Sequence, residues 1–282
     1  MLVDAQIHLW AADSPDRPWP PDARHTAHRA TPPEVEETLA VLDAAGVGRA
    51  VLVPPSWEGD RNDVALSAAA RHPDRFAVMG RIPFHEPTVT RDLPKWRQQP
   101  GMLGVRLTLH REPWQSMFRA GGFPWFWSAA EKAALPVMVY PPGGLDPLAI
   151  VARRHPDLRL IVDHLALPVG AIGADAWGDL DDLLALSKFP NVAVKATALP
   201  CNSGEAFPFT DLHEPMRRVF DAFGPARMFW GSDWTRLPCP YQDNVRFFTD
   251  ALDFLSGDDL RQVMGQSLLE WVGWPATAPA HP

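Results

Sequence analysis

Residues 2–8 read Leu-Val-Asp-Ala-Gln-Ile-His (LVDAQIH), and this run begins the pattern that decides the fold. It is mostly apolar and ends in polar residues. Seven further short apolar or β-branched runs follow along the chain, at 50–55, 76–83, 103–109, 136–142, 158–164, 192–197 and 228–233. Strands that are apolar along almost their whole length are buried on both faces, which is typical of parallel strands.

Amphipathic helical stretches separate most of these runs. They lie at 31–46, 63–73, 124–135, 148–156, 179–190 and 211–224. The first has Thr31 at its predicted N-cap, Pro32 just inside, and Gly46 at its end. Eight strands alternating with helices predict the α/β class and a (β/α)8 TIM barrel. We expect one domain over residues 1–282, because the rhythm continues without an internal boundary or repeat.

Composition excludes several classes of protein. The 282 residues carry a formal net charge of -8, which argues against nucleic acid as the main partner, since phosphate binding needs excess Lys and Arg. No apolar run approaches the roughly 20 residues that span a bilayer, and the N-terminus does not resemble a cleavable leader. Cys201 and Cys239 are the only cysteines and fit a reducing compartment. We therefore expect a cytoplasmic enzyme with a small-molecule substrate; a homo-oligomer stays open.

A barrel of this kind carries its chemistry at the C-terminal ends of the strands. That rule nominates a set of polar residues without any motif: Gln6, His8, Arg106, His110, Tyr140, Asp163, His164, Lys195 and Asp233. Burying so many polar groups at one rim is costly unless they have a purpose. The set therefore predicts a functional site at this end.

Four short motifs resemble a known family. They are DAQIHLW at 4–10, GVR at 104–106, VDHLALP at 162–168 and FWGSDW at 229–234. In order and spacing they resemble the amidohydrolase superfamily, and more narrowly its amidohydrolase-related branch (amidohydrolase 2), which contains pyrone dicarboxylate lactonase, fuconolactone hydrolase and sulfomuconolactone hydrolase. The resemblance implies a distorted (β/α)8 barrel and hydrolase activity.

The resemblance also raises the question of a metal. In the superfamily, a strand-one His pair, a strand-five His or carbamylated Lys, a strand-six His and a strand-eight Asp hold one or two divalent ions. This chain matches at His8, His164 and Asp233, which together could hold one zinc or manganese with an open position. It departs at Gln6, a poor ligand for such metals, and at Tyr140. Because two ligands are lost, we expect catalysis without a metal.

A metal-free lactonase needs a base and groups that take up oxyanion charge. We expect Asp233 to be the general base, although it could instead cap the following turn. His8 and His164 would polarise the scissile carbonyl, and the amide of Gln6 would add a donor. Asp163 is predicted to point away from His164 and to support the site.

Several other residues are predicted to bind the substrate. Arg106 would grip an anionic group, which favours a small carboxylated lactone, but a salt bridge explains it equally well, and the same alternatives hold for Lys195. The remaining predicted contacts are Trp10, Trp57, His110, Tyr140 and Trp234. The loop 198–212 could be a lid, and its Cys201 is not expected to be a nucleophile.

Two other functions stay open. One is a metal-dependent decarboxylase or hydrolase of an aromatic acid, which a bound metal would favour. The other is a non-catalytic barrel that binds a small molecule, which an inaccessible, salt-bridged Asp233 would favour. The identity of the substrate depends on loop side chains that no spacing rule decodes.

Overall fold

Eight parallel strands follow one another around a barrel, each pairing with the next in sequence order. The structure is a computed structural model that describes residues 1–21 and 27–275; residues 22–26 and 276–282 of the predicted domain lie outside the described residues. The strands are β1 (Leu2–Ile7), β2 (Val47–Leu52), β3 (Phe76–Gly80), β4 (Met102–Thr108), β5 (Val137–Tyr140), β6 (Leu160–Val162), β7 (Val192–Thr197) and β8 (Met228–Gly231). The predicted α/β class and (β/α)8 architecture are confirmed.

Helices separate most of the strands. They are α1 (Val35–Ala44), α2 (Asp63–Arg71), α3 (Trp114–Arg119), α4 (Pro124–Lys132), α5 (Leu145–Arg154), α6 (Leu180–Ala185), α7 (His213–Phe223), α8 (Tyr241–Arg246), α9 (Gly257–Arg261) and α10 (Ser267–Val272). Between β3 and β4 the chain forms two 3₁₀ segments, Pro87–Arg91 and Leu93–Gln98, instead of an α-helix. None of the helices in the described ranges has the length and apolarity to cross a bilayer.

The predicted start of the first helix is wrong. The helix begins at Val35, with Glu34 in the N-cap position, and not after Thr31. Proline disfavours helical backbone in the residue before it, so Pro32 and Pro33 hold the preceding residues extended. The first helical hydrogen bond runs from Thr38 N to Glu34 O at 3.0 Å.

Alternate residues of each strand pack on opposite sides of the barrel wall. In β6, Leu160 and Val162 belong to the outer apolar cluster between strands and helices, whereas Ile161 belongs to the inner cluster with Ala193 and Phe229. The two-residue period then directs Asp163 and Lys195 inward. The barrel interior is therefore apolar below and charged above, just beneath the C-terminal rim.

The carboxylate of Asp4 ties β8 to β1. It accepts hydrogen bonds from Gln6 N at 2.9 Å, Ser232 N at 2.8 Å, Tyr241 Oη at 2.8 Å and Ser232 Oγ. Asp233 N also donates to Gln6 O at 2.9 Å. The two strands thus meet at the residues that carry the predicted site.

Asp4 should make stability depend on pH. Burial raises its pKa from 3.8 to about 6 even though four donors favour the ionised form. A carboxyl with a raised folded-state pKa contributes stability that is complete below pH 3.8 and is lost as pH rises through about 6. Across that window, urea unfolding should show the wild type losing stability relative to Asp4→Asn. A difference that stays constant, as expected for Asp146→Asn at an exposed site on α5, would contradict this.

Candidate active site

A cavity of about 270 Å³ opens at the C-terminal ends of the strands. Eight of the eleven residues predicted for the site line it: Gln6, His8, Trp57, Arg106, His110, Tyr140, His164 and Asp233. They lie at the ends of six strands, β1, β2, β4, β5, β6 and β8, or in the loops that follow, so only the barrel brings them together. The expectation that polar residues gather at the C-terminal ends of the strands therefore located the cavity.

The other three predicted residues, Trp10, Lys195 and Trp234, do not line the cavity. Trp10 packs edge-on against Trp57, with ring centroids 5.2 Å apart. Trp234 lies against the guanidinium of Arg29. Lys195 is fully buried in the barrel interior.

The loop 198–212, predicted as a possible lid, supplies none of the described lining residues. Val169, in the loop between β6 and α6, lines the cavity instead and is 61% exposed. Cys201 donates to Arg236 O at 3.3 Å, and burial raises the pKa of its thiol to about 11. A thiol with so high a pKa is a poor nucleophile at neutral pH.

His8, His164 and Asp233 meet at the floor of the cavity. Asp233 Oδ1 lies 3.2 Å from His8 Nε2, and Asp233 Oδ2 lies 4.0 Å from His164 Nε2. Both His164 and Asp233 adopt left-handed backbone conformations, each with φ of 52°, directly after β6 and β8. Such backbone strain in non-glycine residues gathers at functional sites, because the surrounding structure must impose it.

Gln6 lies between the two imidazoles. Its Nε2 is 3.3 Å from His8 Nε2 and 3.1 Å from His164 Nε2, and its Oε1 accepts from Lys195 Nζ at 2.6 Å. The far nitrogens of both rings also have partners. His8 Nδ1 lies 2.5 Å from Val53 O, and His164 Nδ1 lies 2.7 Å from Thr197 Oγ1.

Asp233 is a buried carboxylate with an unused acceptor. Burial acts to raise its pKa, but the adjacent His8 and His28 rings and the Arg236 guanidinium outweigh burial and hold the pKa well below its usual range. Arg236 Nη1 lies 3.4 Å from Oδ2. Oδ1 lies 3.2 Å from His8 Nε2, outside hydrogen-bond geometry, and has no other partner among the described residues. The site therefore presents an ionised carboxylate at the floor of the cavity.

Burial holds the imidazole rings of His28, His110 and His164 neutral. Desolvation lowers the pKa values of His28, His110 and His164 to about 3 each. A neutral ring whose Nε2 accepts a hydrogen bond cannot donate from that atom. The predicted polarising role of His164 would therefore require a proton that burial disfavours.

A buried ion cluster lies under the floor. Asp163 Oδ1 is 2.8 Å from Lys195 Nζ, an ion pair whose angle is not that of a hydrogen bond, and Asp163 Oδ2 accepts from Arg106 Nε at 3.0 Å. Burial opposes ionisation of Asp163, but the two cations outweigh it and lower its pKa. Burial also lowers the pKa of Lys195, an effect that Asp163 partly offsets. The salt bridges left open for Arg106 and Lys195 are thus present, and Asp163 supports the site from inside the barrel.

Positive charge dominates the cavity wall. Arg106, Arg111 and Arg236 line it, and Asp233 is the only carboxylate among the described lining residues. Arg106 bonds Asp163 through Nε alone. The fork of its terminal nitrogens thus has no partner among the described residues.

His28 is a site residue that sequence reasoning missed. It lines the cavity from the loop between β1 and α1, where its ring packs edge-on against Trp57 at 4.6 Å and its Nδ1 lies 2.9 Å from Thr235 Oγ1. Its position in a rim loop was the only available signal. Loop residues follow no strand period, so that signal could not single it out.

The side chains only partly suit a divalent metal. Ligand atoms of His8, His28 and Asp233 all lie within 4.8 Å of one another, a spacing compatible with a shared cation. However, the amide nitrogen of Gln6 lies 3.3 Å from Nε2 of His8 and 3.1 Å from Nε2 of His164. A metal needs the lone pairs of those ring nitrogens. As these side chains stand, the set of His8, His164 and Asp233 does not fit a metal ion.

Comparison with known proteins gives the family. A family model described as amidohydrolase matches residues 3–266. The chain belongs to the amidohydrolase family. The family resemblance inferred from the four motifs is therefore confirmed.

Among members of this family, two curated relatives have similar sequences. The chain is 29% identical over 244 residues to L-fucono-1,5-lactonase of Burkholderia ambifaria, covering 82% of this chain and 79% of the relative. It is 26% identical over 242 residues to 4-sulfomuconolactone hydrolase of Hydrogenophaga intermedia, covering 82% and 77%. A zinc-bound amidohydrolase of Burkholderia multivorans superposes with a TM-score of 0.79 at 20% identity, covering 98% and 100%. This superposition shows that the two proteins share a fold.

We expect the purified protein to contain substoichiometric metal, because Gln6 blocks two imidazoles and Tyr140 replaces a further ligand. Elemental analysis of protein prepared without added metal checks this. One tightly held zinc or manganese per chain would contradict it and would favour the decarboxylase alternative.

Proposed function

We propose that this protein is a metal-independent lactonase in which Asp233 is the general base. The observation that carries the proposal is the buried Oδ1 of Asp233, which lines the cavity without a hydrogen-bond partner among the described residues. A low pKa keeps that oxygen ionised. Asp233 is only 1% exposed, so the attacking water has to enter the floor of the cavity to reach it. Arg236 contacts Oδ2 at 3.4 Å, which leaves Oδ1 outside that ion pair.

The proposed reaction begins with a water molecule bound at Asp233 Oδ1. The water oxygen attacks the lactone carbonyl carbon while Asp233 takes one water proton, which leaves a tetrahedral oxyanion. The oxyanion then collapses, the ring C–O bond breaks, and Asp233 returns its proton to the leaving alkoxide. The product is an open-chain hydroxy acid, and the carboxylate is regenerated. The guanidinium group of Arg236 would stabilise the charge on the oxyanion.

The charge of the cavity favours an anionic substrate. The protein as a whole carries -8, so an anion is mildly repelled at long range. Within the cavity, three arginines face one carboxylate. The free fork of Arg106 suits a carboxylate held through two parallel hydrogen bonds. We therefore propose a small carboxylated lactone as the substrate.

Curated relatives agree with this reaction class. L-fucono-1,5-lactonase and 4-sulfomuconolactone hydrolase are both named for the hydrolysis of lactones. Each aligns with about four fifths of this chain. We infer the same class of reaction here, with a cytoplasmic location and small-molecule partners as further proposals.

Asp233→Asn should abolish most of the activity. An amide cannot accept the water proton, so kcat on any lactone that the wild type opens should fall by about 10²- to 10⁴-fold. Steady-state kinetics with a panel of lactones measures this, and Asp146→Asn on the exposed face of α5 is the matched control. Turnover near the wild-type rate by Asp233→Asn would rule out Asp233 as the base.

Arg106→Met should distinguish charged from neutral substrates. Lys195 still neutralises Asp163 in this variant, so the barrel interior stays balanced. Losing a charge-assisted contact costs about 1.5–3 kcal/mol, so kcat/KM for a carboxylated lactone should fall by at least tenfold. The matched neutral ester should be much less affected. Equal losses on both substrates would show that Arg106 does not bind the carboxylate.

A further inference from the structure

Lys195 is surrounded by acceptors in the barrel interior. Its Nζ lies 2.6 Å from Gln6 Oε1, 2.8 Å from Asp163 Oδ1 and 3.3 Å from Met138 Sδ. An ammonium group has three N–H donors and no acceptor. Two hydrogen-bond acceptors and the charge of the Asp163 carboxylate therefore match a protonated lysine.

This environment decides which way the amide of Gln6 points. The amide oxygen must face the ammonium, because turning the amide over would set an N–H group against the donors of Lys195. The nitrogen of the amide then faces the cavity floor. Its two hydrogens are directed at the two ring nitrogens that lie 3.1 Å and 3.3 Å away.

The amide of Gln6 can then donate to both imidazoles only if each ring accepts at Nε2, including His8, whose Nε2 also lies 3.2 Å from Asp233 Oδ1. A neutral ring that accepts at Nε2 carries its proton on Nδ1. Acceptors are available there for each ring, Val53 O for His8 and Thr197 Oγ1 for His164. Each N–H donor along the contacts from Lys195 through Gln6 to the two rings thus has an acceptor.

We propose that Lys195 is a positioning residue that acts through Gln6. It directs the amide so that both Nε2 lone pairs are occupied, which holds His8 and His164 as Nδ1–H tautomers and closes the floor of the cavity to a metal ion. The inference rests on contacts in the free protein. Its test needs no substrate, so it can fail while the proposed lactonase reaction stands, and the reverse.

The affinity for zinc tests this proposal, because it should rise if Gln6 blocks the metal and fall if Gln6 binds the metal. If Gln6 blocks the lone pairs, Gln6→Ala should bind zinc at least about tenfold more tightly than the wild type, comparable to other effects of residues that contact metal ligands. If Gln6 is itself a ligand, or has no role, zinc affinity should fall or stay unchanged, and the proposal is overturned. Competition with a chromophoric chelator measures the affinity. Gln115→Ala, which removes a nearby amide outside the cavity lining, is the control.

Lys195→Met extends the test to the lysine. Without the ammonium, the amide of Gln6 can turn over and release both rings, so zinc affinity should rise as in Gln6→Ala. Asp163 keeps Arg106 as its partner in this variant. An unchanged affinity in folded Lys195→Met would overturn the role of Lys195.

Nitrogen NMR of the wild type tests the two proposed tautomers directly, even if Lys195→Met does not fold. Long-range ¹H–¹⁵N spectra at neutral pH distinguish a protonated ring nitrogen from an unprotonated one. Signals assigned with His8→Gln and His164→Gln should show both rings with unprotonated Nε2 and protonated Nδ1. A proton on Nε2 of either ring would overturn the proposal.

Discussion

The ion pair between Lys195 and Asp163 is the interaction on which the site depends. Both groups are fully buried inside the barrel, where an unpaired charge would cost several kcal/mol. Arg106 completes the cluster through the second carboxylate oxygen. The carboxylate of Asp163 thus pairs with two cations, and each cation affects the cavity above it. Lys195 orients Gln6, and Arg106 presents its remaining nitrogens to the cavity.

The hydrogen bonds between the ends of β8 and β1 are the second constraint on the geometry of the site. Asp4 bonds Ser232 by two groups, and Asp233 N bonds Gln6 O, so the strand ends that carry His8 and Asp233 are held side by side. Gly231 permits this approach, because a Cβ there would lie 2.5 Å from Thr197 Cγ2 and 3.0 Å from Ala5 N. The geometry of the carboxylate is therefore set by the closure of the barrel and not by its own loop.

Much of this could be predicted from sequence, for identifiable reasons. Continuous apolar runs reported the buried strands, and the rule on strand ends found Gln6, His8, His164 and Asp233. That rule does not show how far below the rim of the barrel a side chain lies. Lys195 follows Ala193 by two residues and so faces inward, yet only the three-dimensional structure shows that it stops below the cavity.

Other features depend on contacts that leave no local pattern. His28 reaches the floor from a loop, and its partners Thr235 and Trp57 are distant in sequence. Trp10 and Trp234 are adjacent to rim positions but contact Trp57 and Arg29, and Trp234 begins a 3₁₀ turn that takes it out of the strand period. The predicted start of α1 is too early because Pro32 is compatible with a first helical turn, whereas Pro33 favours extended backbone in the residue before it.

The central claim is that a carboxylate, and not a metal, activates water in this cavity. Its most direct test is kcat/KM on a lactone that the protein hydrolyses, measured before and after exhaustive dialysis against a strong chelator, and again with zinc added back. The account predicts the same kcat/KM in all three states, because Asp233 needs no metal to accept the proton. Loss of activity on chelation and recovery with zinc would contradict it.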